Sequence, residues 1–254
     1  MEIFGSTRSR VRRGHALIAP DSFVQAPLPG WHRTQGVIVI SPQLGARFTQ
    51  YFALMEREAV TAPTLPGVER FVFVLEGRIA LDYGPARREV LREGGYLYTS
   101  PNTDCPLRAE AASRLNVFEK RYTPRSPEQA PKLTYGLIYG QEQDVEAKPF
   151  LNDPDALLKT LLPDQPDFDL AVNIFTYRPG ATLPLVEVHV MEHGLLMLQG
   201  QGVYRLGDDW YPVREGDVIW MAPYCPQWFV AMGKGPARYL YYKDVNRDPL
   251  QSWP

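Results

Sequence analysis

Apolar residues in this chain come in short runs rich in Val, Ile, Tyr and Phe, cut at close intervals by Gly, Pro, Asn and Asp. That is a strand pattern, and no sustained helical periodicity competes with it. It predicts strands at 36–40, 48–54, 71–75, 78–83, 96–99 and 115–120, and then at 170–177, 186–190, 195–198, 202–206, 218–221 and 238–243. One short helix is expected at 155–161, where Ala, Leu and Lys dominate between two prolines. The fold class expected is all-β.

The two sets of strands are punctuated alike. Glu69, Gly77, Arg92-Glu93-Gly94, Pro101 and Lys120 are followed by Glu192, Gly200, Arg214-Glu215-Gly216, Pro223 and Lys243, at an offset that stays at 122 or 123 residues. Such constant register marks an internal repeat. The expected organisation is an N-terminal arm over 1–35, a first β domain over 36–121, a Pro-rich linker with the short helix over 122–167, and a second β domain over 168–254. Glu69 and Glu192 read as scaffold residues, and Lys120 suggests that a lysine at 243 partly serves the scaffold too.

Chemistry gathers in one window, Glu187-Val188-His189-Val190-Met191-Glu192-His193, which holds two of the four histidines. In an extended chain residues 187, 189 and 193 share a face, so a carboxylate and two imidazoles could converge on a divalent ion. A polar strand with two ordinary histidines would have the same composition. The repeat weighs against that reading, because positions 187, 189 and 193 fall on Thr64, Pro66 and Arg70 in the first copy. Scaffold residues recur while the candidate ligands do not, so only the second copy is expected to hold a metal.

Composition narrows the partners. A net charge of −2 offers no field for nucleic acid or an anionic membrane, and no uncharged apolar run is long enough to span a bilayer. The arginines at 8, 10, 12 and 13 read as a solvated tail. The start lacks a signal-peptide pattern, which makes the cytoplasm the expected location. Two well-separated cysteines, Cys105 and Cys225, make neither a disulfide framework nor a zinc ribbon.

The run Gly180, Glu187-x-His189, His193, Gly200 resembles the first cupin motif, with Glu187 in place of the first histidine and His193 in place of the glutamate. Gly216-Asp217-Val218-Ile219-Trp220-Met221-Ala222-Pro223 followed by Gln227 is similar to the second motif. With Tyr239 to Pro249, His15 to Ser22 and Pro27 to Trp31, the chain resembles the (S)-ureidoglycine aminohydrolase family. That resemblance implies two tandem cupin barrels in a homo-oligomer, one Mn²⁺ per chain on Glu187, His189, His193 and Gln227, and hydrolysis of ureidoglycine with release of ammonia. Glu187, Gln227, Tyr239 and Lys243 would contact this small-molecule substrate, with Lys243 and Tyr239 as the catalytic candidates. The mixed nitrogen and oxygen donor set suits Mn²⁺ or Fe²⁺. An iron-dependent cupin dioxygenase or isomerase, and a non-catalytic small-molecule-binding protein with two cupin barrels, are the alternatives.

Overall fold

The computed structural model describes residues 7–83, 88–103, 105–125 and 136–250. Among them the regular structure is antiparallel β-sheet with three short 3-10 turns, so the protein is all-β. The chain forms two units. One is Val24–Val145, and the other joins the segment ending at Phe23 to the chain from Glu146 onward.

The two units repeat one pairing scheme. In the N-terminal unit Val68–Glu76 lies between Gly95–Thr99 and Ser113–Arg121, which pairs with Thr49–Val60, and that strand pairs with His32–Ile40. In the C-terminal unit His193–Gln199 lies between Val218–Met221 and Ala237–Asp244, which pairs with Leu170–Tyr177, and that strand pairs with Asp153–Thr160. Arg78–Asp82 takes Arg88–Arg92 and Leu107–Ala109 as neighbours, as Gln201–Leu206 takes Asp209–Arg214 and Gln227–Met232. Alternation along these strands turns one face inward. The first unit buries Tyr51, Ala53, Met55, Val72, Val74, Leu115 and Val117 there. The second buries Phe175, Tyr177, Leu195, Met197, Tyr204, Phe229, Tyr239 and Tyr241.

The repeated glycines have a physical cause. Gly77 and Gly200 both have positive φ, and a Cβ on either would fall 2.5 Å from a backbone oxygen, that of Ala112 or Pro236. Glu69 and Glu192 are fully buried and accept hydrogen bonds from an aromatic side chain on the neighbouring strand, Tyr98 and Trp220 respectively.

Four expectations change. Residues 155–161 form no helix; Asp153–Thr160 is a strand, with Ala156 and Leu158 turned toward the core, because the edge of Leu170–Tyr177 needs a partner and that demand overrides local helix propensity. The unit boundaries fall at 23/24 and 145/146 rather than at 35/36, 121/122 and 167/168. His15–Ile18 covers the edge of Val218–Met221, and Leu137–Gln141 covers that of Gly95–Thr99, so parts of the expected arm and linker complete the barrels. Residues 1–6 and 126–135 of those segments lie outside the described residues. The arginine cluster is no free tail, since Arg8 forms a two-pronged ion pair with the buried Asp217, and Arg10 opens a strand paired with His15–Ile18.

The fourth change concerns Lys120. Val72 pairs with Val117 and Leu195 pairs with Tyr241, so the last strand runs at an offset of 124 where its neighbour runs at 123. Lys120 therefore corresponds to Asp244, and Lys243 corresponds to Glu119. Lys120 lies on the face opposite Val117 and pairs with Glu69 at 3.7 Å, whereas Lys243 shares the inward face with Tyr239 and Tyr241. The scaffold does not account for Lys243.

Candidate metal centre

Residues 186–190 do not form the expected strand. Of this window Glu187 alone makes a β-bridge, with Gln227, through backbone hydrogen bonds of 2.9 and 3.0 Å, and the Tyr224 amide donates to the His189 carbonyl at 2.7 Å. The loop is thus pinned to the segment 224–227. His193 opens the regular strand opposite Met221 and Lys243. Convergence of the candidate ligands comes from a loop crossing a strand end, not from alternation along one strand.

The convergence itself is close. His189 Nε2 and His193 Nε2 are 3.2 Å apart, and Gln227 Nε2 lies 3.1 Å from the first and 3.2 Å from the second. Turning the Gln227 amide over would place its oxygen at the same point, so this side chain can present a carbonyl donor there. His189 Nδ1 is 3.2 Å from the Met191 carbonyl, which can only accept. Nδ1 therefore carries the proton and Nε2 faces the cluster with a free lone pair, the arrangement that prepares an imidazole for a metal.

Charge reinforces this state. Burial holds both imidazoles below their ordinary pKa, His193 well below, with His189 and then Lys243 adding to the effect on His193. Both are accordingly neutral near pH 7 and able to ligate. Burial pushes the Glu187 carboxyl up, opposed by the charge of Lys243. Among the described residues no three His, Cys, Asp or Glu side chains are tight enough by themselves to hold an ion. The nitrogen triangle is the tight part of the site, and Glu187 is tied to it through the backbone bridge to Gln227.

Lys243 is half-buried directly across from His193, while Tyr239 is 2% exposed and lies deeper in the same barrel. Sequence reasoning did not single out Tyr177, Tyr204, Tyr241 and Asn173, which share this interior. The Tyr241 ring lies 5.6 Å from that of His193, tilted by 40°, and its hydroxyl accepts a hydrogen bond from Asn173. Strand pairing aligns them with Met55, Leu81, Val117 and Tyr51, at offsets of 122 to 124 that no single subtraction along the sequence reproduces.

A cupin domain family model matches residues 173–242. The chain is 44% identical over 97% of its length to a probable (S)-ureidoglycine aminohydrolase of Oryza sativa subsp. japonica, covering 78% of that protein. It belongs to the (S)-ureidoglycine aminohydrolase family. The (S)-ureidoglycine aminohydrolase of Arabidopsis thaliana is 42% identical over 97% of this chain and 80% of its own. The crystal structure of the Escherichia coli protein Ylba superposes with a TM-score of 0.80 at 32% identity, covering 96% of each chain. Among the described residues no helix is long and apolar enough to cross a membrane.

Proposed function

We propose that the chain hydrolyses (S)-ureidoglycine to (S)-ureidoglycolate and ammonia, using one Mn²⁺ held by Glu187, His189, His193 and Gln227. The observation that carries this reading is the triangle of His189, His193 and Gln227 nitrogens, 3.1–3.2 Å apart, with His193 and Gln227 buried and His189 half-buried. It stands with the membership of a family whose relatives bear that activity in their names. The cupin fold generally binds metals, and two neutral imidazoles, an amide and a carboxylate form an oxygen and nitrogen set without thiolate that fits Mn²⁺. When bound, the ion supplies positive charge that anchors an amino-acid-like substrate and orients its reacting carbon.

The protein groups then divide the remaining work. Ureidoglycine carries an amine, a carboxylate and a ureido nitrogen on one carbon. As the amine leaves as ammonia with the electrons of its C–N bond, the ureido lone pair forms a C=N bond and its N–H proton is released. Water adds to that carbon, giving the hydroxyl of ureidoglycolate and returning a proton. Lys243, inward-facing at the mouth, is placed to move a proton between the leaving amine and the ureido nitrogen. Burial holds the Tyr239 phenol well above its ordinary pKa, so it serves as a hydrogen-bond donor to substrate rather than as a base. The same reading includes a cytoplasmic homo-oligomer.

Ammonia release from freshly generated ureidoglycine, with and without added Mn²⁺, tests the proposal. Metal-stimulated release is expected. Silence under both conditions would leave a binding protein, and oxygen uptake in the presence of Fe²⁺ would favour a dioxygenase.

A further inference from the structure

Pro101 and Pro223 recur at the repeat offset, and each lies in the same tight turn. In the N-terminal barrel the Thr103 amide donates to the Ser100 carbonyl at 3.1 Å, and in the C-terminal barrel the Cys225 amide donates to the Ala222 carbonyl at 3.1 Å. The third residue of each turn is left-handed, Asn102 at φ 62° and Tyr224 at φ 63°. A turn with proline second and a positive φ third favours glycine or asparagine there, because a larger side chain crowds its own backbone. The scaffold thus repeats a backbone that the first barrel fills at low cost. The second fills it with a bulky aromatic residue.

Both turns pin the loop that leads into the equivalent strand, but by different means. The side-chain oxygen of Asn102 accepts a hydrogen bond from the Gly67 amide, just ahead of Val68–Glu76. Tyr224 does the corresponding work with its backbone amide, which donates to the His189 carbonyl at 2.7 Å, ahead of His193–Gln199. The Tyr224 side chain is thereby released from that duty. It is 55% exposed, and among the described residues no hydrogen bond or ring contact engages it. Folding gains little from an exposed ring and loses by its backbone setting. A costly side chain without structural work stands one backbone hydrogen bond from His189, on the turn that leads into Gln227. Its use therefore lies with what the site binds.

The ring also restricts which part of a ligand it suits. The face of a phenol carries partial negative charge, so it disfavours a carboxylate and accepts a flat group with N–H bonds. The ureido group of ureidoglycine is flat and carries such bonds, whereas the carboxylate and amine are the groups a cation attracts.

We propose that Tyr224 is a specificity-determining residue whose ring covers the ureido group of the bound substrate. The assignment rests on the reading of Glu187, His189, His193 and Gln227 as a site for ureidoglycine. It goes further by naming a contact outside that set and the substrate group it recognises.

Thermal unfolding and calorimetry on the Mn²⁺-loaded protein test this together. The probe is N-carbamoylglycine, which keeps the ureido group and the carboxylate but lacks the amine that leaves. Tyr224→Asn installs the residue of the first barrel. It should raise the melting temperature by a few degrees, because backbone strain is relieved, and yet weaken N-carbamoylglycine about tenfold. Tyr224→Phe should match the wild type in both, since the ring and not its hydroxyl makes the contact. KM for ureidoglycine should rise in Tyr224→Asn more than kcat falls, with manganese content unchanged. A tyrosine kept for structure would instead lower the melting temperature when replaced. That result, unchanged affinity for N-carbamoylglycine in Tyr224→Asn, or a comparable loss in Tyr224→Phe, would overturn the assignment. A wild-type chain that binds N-carbamoylglycine more tightly than Tyr224→Asn yet releases no ammonia would instead sink the proposed reaction and leave the contact standing.

Discussion

His193 and Lys243 are direct partners across two paired strands of the C-terminal barrel, and the corresponding partners in the N-terminal barrel are Arg70 and Glu119. Arg70 and Glu119 form an ion pair of 2.7 Å, and the guanidinium also donates to the Ala62 carbonyl and lies over Trp31. One barrel thus neutralises its own mouth with two side chains. The other places a neutral imidazole and an ammonium there, leaving electron pairs and charge to be met by a ligand.

The double replacement His193→Arg with Lys243→Glu should therefore give a folded, metal-free C-terminal barrel, because it restores the pair the scaffold already accommodates. Elemental analysis should show no manganese, and thermal unfolding should remain cooperative. Retention of a full equivalent of Mn²⁺ would contradict the ligand assignment.

Lys243→Met removes the charge while keeping much of the aliphatic stem. Manganese content should stay near that of the wild type, and turnover should fall by roughly 10²–10⁴-fold, the range for loss of a positioned proton carrier. Near-normal turnover would take Lys243 out of the chemistry.

Arg8→Ala leaves Asp217, whose side chain is fully buried, without its two guanidinium hydrogen bonds, although the Arg214 amide at 2.9 Å remains. About 1–3 kcal/mol of stability should be lost, since Arg8 is itself partly exposed. Denaturant unfolding measures it. An unchanged midpoint would mean that the first strand docks without this pair.

His15 supplies a pH dependence of known sign. It is buried, with Tyr211 at 3.0 Å and Asp209 Oδ2 at 3.4 Å, and Arg12 Nε lies 3.5 Å from the same Asp209 oxygen. Burial lowers its pKa, aided by Arg12 and opposed by Asp209. A lowered folded pKa means that its contribution is complete above the unfolded value of about 6.5 and is lost as the pH falls through the lower folded value. The metal-site histidines shift the same way, so the readout is a difference. His15→Gln should lose less melting temperature than the wild type between about pH 8 and pH 5, and parallel curves would refute it.

Much of this was legible in the chain. Thr34 pairs with Met55 and Ala156 with Tyr177, all at an offset of 122, so the repeat extends through the segment expected to be a helix. Carrying the subtraction upstream from Phe175 would have placed Asp153–Thr160 opposite His32–Ile40 and corrected the expectation from sequence alone. The mistaken lysine match had no such remedy. The offset changes in the turn before the last strand, from 122 at Leu107 and Phe229 to 124 at Leu115 and Tyr239, and only the pairing shows that Lys120 and Lys243 face opposite ways.

Residue order alone dictates the kind of strand, the duplication and the asymmetry between its copies, because alternation, turn glycines and unmatched histidines are local properties. Tertiary structure decided which edge His15–Ile18 would cover, how a loop rather than a strand brings His189 over His193, and why four tyrosines share one interior. Those outcomes depend on satisfying backbone groups and buried hydroxyls contributed by segments far apart in the chain, and no local pattern records the partner that will satisfy them.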